Sequence, residues 1–74
     1  MMNTYFIIGK SFCPYTVNAV NALPNAQVIY LDQSRRGAVI HESLKQKFQQ
    51  TSVPYIFVND VFIGGYDDLL QGRR

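Results

Sequence analysis

Lys10-Ser11-Phe12-Cys13-Pro14-Tyr15-Thr16 decides the fold of this chain: a strand-like run ends just before it and a helix-like run begins inside it. Tyr5-Phe6-Ile7-Ile8 is short, apolar and β-prone, and Gly9 closes it. Pro14 suits the first position of a helix, where its missing N–H costs nothing and its fixed φ is already helical. Cys13 then falls at the N-cap, with its sulfur toward the amides of the first turn. A thiolate there meets the positive end of the helix dipole and can accept hydrogen bonds from the Tyr15 and Thr16 N–H groups. Lys10 adds a nearby cation. Such surroundings lower a thiol pKa from about 8.5 to roughly 3.5–7.5, which makes the sulfur a nucleophile at neutral pH. A lone cysteine is otherwise often a small buried hydrophobe. The cap position followed by proline favours a reactive sulfur at a surface turn.

Outward from this stretch, residues 3–9 read as a buried strand and 14–23 as a helix with Val17, Val20 and Leu23 along one side. Pro24 ends that helix, because the residue before a proline is pushed out of the α region. Val28-Ile29-Tyr30-Leu31 reads as a second strand, and Asp32-Gln33-Ser34 turns the chain. Ser34 is a reasonable N-cap for the next helix, although Gly37 weakens its first turn. Ile40, Leu44 and Phe48 repeat every four residues and give one apolar stripe to a helix over about 36–49. His41 lies off that stripe and reads as a solvated surface residue.

Thr51-Ser52-Val53-Pro54 breaks the helix. Tyr55-Ile56-Phe57-Val58 and Val61-Phe62-Ile63 follow as two strands around Asn59-Asp60, a two-residue hairpin signal. Gly64-Gly65 ends the hairpin, and Tyr66-Asp67-Asp68-Leu69-Leu70 starts a last helix with acidic residues in its first turn, where the dipole favours them. The order β-α-β-α-β-β-α predicts an α/β fold. Its first two strands are parallel, the hairpin adds an antiparallel pair, and helices cover both faces of one four-stranded mixed sheet.

Seventy-four residues allow one domain, 1–74, and no second core. A chain this short buries only about 60% of its unfolded surface; five Phe and five Tyr offer partial compensation. One cysteine rules out an intrachain disulfide framework and points to a reducing, cytoplasmic location. No apolar run approaches the ~20 residues that span a bilayer, and the start of the chain lacks a secretory pattern. A net charge of +2 does not argue for nucleic acid or membrane binding, and Arg35-Arg36 and Arg73-Arg74 read as isolated, solvated pairs.

Three separated segments together resemble the glutaredoxins: Lys10-x-x-Cys13-Pro14-Tyr15-Thr16, Ser52-Val53-Pro54, and Gly64-Gly65-Tyr66-Asp67-Asp68-Leu69. They occur in the family's order and cover nearly the whole chain. Glutathione S-transferase N-terminal domains share the fold and a similar Val-Pro, but generally lack the Gly-Gly-x-Asp-Asp segment. The resemblance implies a thioredoxin-like, three-layer fold and a glutathione-dependent oxidoreductase that works through Cys13. In such proteins the proline at Pro54 is cis and lies against the active cysteine. Val53 is implied to offer its backbone to the cysteine moiety of glutathione, and the helix start at Tyr66 and Asp67 to hold the γ-glutamyl end. Lys10 is implied to balance the glycyl carboxylate, Gln50 to assist there, and Tyr15 to wall the groove. Residue by residue, the plain alternatives are a helix–strand punctuator at Val53-Pro54, a tight turn at Gly64-Gly65, a packed ring at Tyr15 and a solvated Gln50.

Two departures matter. Thr16 stands where dithiol members carry a second cysteine, so the resemblance implies a monothiol mechanism: Cys13 forms a mixed disulfide with glutathione, and a second glutathione regenerates it. The Thr16 hydroxyl can still donate to the Cys13 sulfur. The last helix is expected to be short relative to the family. The expected partners are glutathione and glutathionylated or disulfide-containing proteins, with no metal site and a monomer rather than a dimer. Two other readings stand beside this one: a dimeric carrier of a glutathione-ligated [2Fe-2S] cluster, disfavoured by Pro14, and a redox-inert binding module.

Overall fold

The computed structural model describes residues 2–72, so the Arg73-Arg74 pair lies outside the described residues. Strand β1 (Tyr5–Gly9) leads into α1 (Pro14–Ala22) and then β2 (Gln27–Tyr30). A single 3₁₀ turn, Leu31–Gln33, precedes α2 (Gly37–Phe48); β3 (Tyr55–Val58), β4 (Val61–Gly64) and α3 (Tyr66–Leu70) complete the chain. The sheet order is β2-β1-β3-β4. β1 pairs parallel with β2, with Ile7 beside Val28, and antiparallel with β3, with Ile7 beside Ile56. β3 and β4 pair antiparallel around Asn59 and Asp60, whose φ values of 51° and 70° suit the primed turns of tight hairpins.

Strand alternation divides the apolar residues between two faces. Ile7, Ala19, Ile56 and Ile63 form one core under α1 and α3, joined by Val20, Leu23, Tyr66 and Leu69. Ile8, Leu31 and Tyr55 form the other under α2, with Ile40, Leu44 and Phe48 as the helix stripe. Phe48 stacks on Phe62 with centroids 4.4 Å apart and meets the edge of Phe57 at 5.5 Å. The sheet is thus the middle of three layers, and the expected α/β architecture and element order are found.

Four local expectations need correction. The first strand begins at Tyr5; Asn3 and Thr4 are held instead by the hairpin, with Thr4 N–H donating to Asn59 Oδ1 at 2.8 Å and Asn59 N–H to Thr4 O at 2.7 Å. The inner side of α1 is set by Thr16 and Ala19, both fully buried, while Val17 is exposed. Small residues face inward there because the helix starts close over Gly9, where a Cβ would run into the Thr16 side chain. Leu31 leaves β2 for the 3₁₀ turn. Ser34 caps the end of that turn, and α2 begins at Gly37 behind Arg36. A Cβ at Gly37 would collide with the Leu31 carbonyl, so the glycine permits a close approach of two backbones.

Candidate functional site

Cys13 is the N-cap of α1, as read from the sequence: its backbone is extended (φ −85°, ψ 122°), its carbonyl accepts from Val17 N–H at 3.0 Å, and Pro14 follows at the first helical position. The sulfur is half-buried and makes no cap hydrogen bond of full geometry, which modifies the expectation of amide bonds to it. Burial alone would raise its pKa. The Thr16 amide, the Thr16 hydroxyl, the Tyr15 amide and the charge of Lys10 outweigh that, and the thiol sits below its ordinary value. The thiolate is therefore favoured by the start of the helix, with no second cysteine involved.

The loop before the helix is fixed from both ends. Thr16, fully buried, accepts from Lys10 N–H through Oγ1 at 3.2 Å. Ser11 donates to Asp32 through its amide at 2.9 Å and through its hydroxyl, tying the loop to the turn after β2. Those two bonds hold the Asp32 carboxyl below its usual range.

Opposite the sulfur stands the segment between α2 and β3. Its Val53–Pro54 peptide bond is cis, and the Val53 carbonyl lies 3.9 Å from Cys13 Sγ. Tyr15, Gln50, Ser52, Val53, Pro54, Gly65, Tyr66, Asp67 and Asp68 line one open cleft of about 250 Å³ beside it. Tyr15 and Tyr66 approach within 6.4 Å between ring centroids. At the far side, Asp68 folds back to accept from Gly65 N–H at 2.9 Å. Gly64 makes room for that carboxylate and adopts φ +121°, a conformation side chains rarely take. Asp67 stays exposed at the cleft.

Of the sequence candidates, Tyr15, Gln50, Val53, Pro54, Tyr66 and Asp67 thus share one cleft, with Cys13 facing it across the Val53 carbonyl. Lys10 acts on the sulfur through its charge but lines a second depression with Phe12, Asp32, His41 and Lys45. His41 is not the solvated residue expected. It is half-buried, its Nε2 lies 3.1 Å from the Thr51 carbonyl, and its ring meets the edge of Tyr55. Burial lowers its pKa, helped by Lys10 and Lys45 and opposed by the Thr51 carbonyl and Glu42. Among the described residues, no group of three or more His, Cys, Asp or Glu is placed to hold a metal ion, and no helix is long and apolar enough to cross a membrane.

The Glutaredoxin family model matches residues 5–63, from the start of β1 into β4. The chain belongs to the glutaredoxin family. It is similar to Glutaredoxin-1 of Rhizophagus irregularis, at 36% identity over 96% of this chain and 74% of the relative. Glutaredoxin-1 of Saccharomyces cerevisiae is 35% identical, over 97% of this chain and 73% of its own length. Among solved structures, the buckwheat glutaredoxin–glutathione complex superposes with a TM-score of 0.88 at 29% identity, covering 93% of this chain and 66% of that one. What the sequence did not reveal within this glutaredoxin site is the Ser11–Asp32 tie and the His41 contact. Both join residues far apart in the chain, and no local pattern marks them.

Proposed function

We propose that this glutaredoxin is a monothiol, glutathione-dependent oxidoreductase that reduces mixed disulfides between glutathione and proteins or small thiols. One observation carries the reading: a thiol of lowered pKa faces a backbone carbonyl at the rim of a cleft with an acidic residue at its far side. The Cys13 thiolate attacks the glutathione sulfur of the mixed disulfide. The S–S bond breaks, its electron pair leaves on the other sulfur, and that thiolate takes a proton from water. The new bond is Cys13–S–S–glutathione. A second glutathione thiolate attacks its glutathione sulfur, releasing oxidised glutathione and the Cys13 thiolate.

The cleft supplies contacts for two parts of the tripeptide, and Lys10, in the neighbouring depression, serves the third. Val53 offers main-chain groups to the cysteinyl unit, in the manner of an added strand. Tyr15 and Tyr66 wall the groove, Pro54 shapes its floor, and Asp67 accepts from the γ-glutamyl ammonium at the start of α3. Lys10 balances the glycyl carboxylate. Pro14 and Thr16 maintain the thiolate. Thr16 is not a thiol, so the resolving step falls to glutathione.

A [2Fe-2S] cluster takes four thiolates. In the carrier reading two chains would each supply Cys13 and two glutathiones the other two ligands; Pro14, which stiffens the loop at Cys13, disfavours that arrangement. A cytoplasmic, monomeric state accords with the single-cysteine chemistry and is part of this proposal.

The test is glutathione-coupled reduction of a mixed disulfide by the chain and by Cys13→Ser. We expect turnover from the first and only the uncatalysed rate from the second. Equal rates would remove the proposal.

A further inference from the structure

Gln50 follows α2 by two residues and lines the cleft, a place from which a side chain ordinarily contacts the ligand. Its hydrogen bonds point elsewhere. Nε2 donates to the Ser52 carbonyl at 3.0 Å and to the Pro54 carbonyl at 3.0 Å. A primary amide has two N–H donors, so both are taken up within the protein. What remains is Oε1, an acceptor, which has nothing to offer a carboxylate.

The two carbonyls held by Gln50 belong to the residues on either side of Val53. Their neighbours are held as well. The Tyr55 hydroxyl donates to the Gln50 carbonyl, which anchors Gln50 itself. His41 Nε2 lies 3.1 Å from the Thr51 carbonyl, and because a carbonyl only accepts, that nitrogen carries the proton. The carbonyls of Gln50, Thr51, Ser52 and Pro54 thus each accept from a side chain, while that of Val53 faces the Cys13 sulfur at 3.9 Å.

We infer that Gln50 is a positioning residue for disulfide exchange: its amide fixes the carbonyls of Ser52 and Pro54, the residues on either side of Val53, so that Val53 meets the cysteinyl part of the incoming disulfide, and Gln50 itself does not touch the ligand. The inference rests on the exchange activity proposed above and replaces the ligand role that the resemblance implied for Gln50. Displacing Val53 weakens the grip on the unit common to all cysteinyl ligands. Removing a partner of the glycyl carboxylate weakens only those ligands that carry one.

The experiment uses Gln50→Met, which keeps the side-chain length and removes both donors. KM and kcat are measured for two mixed disulfides of one small thiol, the first with glutathione and the second with γ-glutamylcysteine, which lacks the glycine. KM should rise by the same factor for both, about two- to tenfold, the reach of one hydrogen bond. A rise confined to the glutathione disulfide would make Gln50 a ligand of the glycyl end and overturn the inference. A lower melting temperature with both KM values unchanged would leave only a structural role and overturn it too. If the unmutated chain turns over neither disulfide, the exchange reading fails and takes the inference with it; if it does and the variant matches it, the inference alone fails. Should the variant not fold, the side-chain amide resonances of Gln50 in the unmutated chain decide. They should hold their shifts while S-methylglutathione saturates the Val53 amide, and movement as large as that of Val53 would overturn the inference.

Discussion

Thr16 performs two tasks with one hydroxyl. Its oxygen accepts from the Lys10 amide, and its proton is available to the sulfur whose pKa it helps to lower. Thr16→Val keeps the shape and removes the hydroxyl, so the pH midpoint of Cys13 alkylation by iodoacetamide should move up toward the ordinary thiol value. Thr16→Ser should leave it near that of the parent. In stability terms the sign is that of a group with a depressed folded pKa. The contribution of Cys13 is complete above the unfolded value of about 8.5 and is lost as pH falls through the folded value. Lys10→Ala should raise KM for glutathione, more at low salt than at high salt, because the side chain is only half-buried and its charge is screened. Cys13 and Pro14 were legible in the sequence through local chemistry, a cap and a fixed φ; Val53 and Pro54 read locally only as a break between elements, and their place opposite the sulfur was implied by the resemblance. The burial of Thr16 and the inward bonds of Gln50 were not legible. Both depend on how the backbone a few residues away is placed, Gly9 and Lys10 for Thr16 and the Ser52 and Pro54 carbonyls for Gln50, which residue type alone does not show.

At the scale of elements, the sequence pattern placed every helix and strand but misplaced Val17 on α1 and the cap of α2. Apolar periodicity chose Val17 together with Val20 and Leu23; the latter two join the core, but Val17 is exposed, and the close approach of α1 to β1 buries Thr16 and Ala19. The same kind of close approach explains Gly37, which propensity alone reads as a weakness. Gly37→Ala should cost roughly 1–3 kcal/mol, the usual effect of overpacking a fixed backbone, as measured by urea unfolding. Helix α2 also carries His41 to the Thr51 carbonyl, and burial holds its imidazole below the ordinary histidine value. The unfolded chain takes up this proton near pH 6.5 and the folded chain only at lower pH. Stability from His41 is therefore complete above about 6.5 and declines as pH falls from there through the folded value. His41→Gln should flatten the loss between pH 7.5 and 5.5 in unfolding experiments; an unaltered slope would show that other groups cause it.

For the molecule as a whole, two small cores share one sheet, and each rests on a few fully buried side chains: Ile7 and Ile56 on one side, Tyr55 on the other. A domain of this length has a total stability of roughly 4–11 kcal/mol. Ile56→Ala should remove about 2–5 kcal/mol of it, a large share, visible as a marked fall in melting temperature with the family fold retained at low temperature. The sheet also sets the site and the hairpin turn at opposite rims. Cys13 follows the end of β1, whereas Asn59 grips Asn3 and Thr4 ahead of its beginning, with Asn59 Nδ2 donating to Asn3 Oδ1 at 3.0 Å. A dye, a resin linker or a carrier joined ahead of Asn3 is thereby kept a strand's length, roughly 17 Å for five residues, from the reacting sulfur. Chains tethered to a bead by that end should work as catalysts at the rate they show in solution.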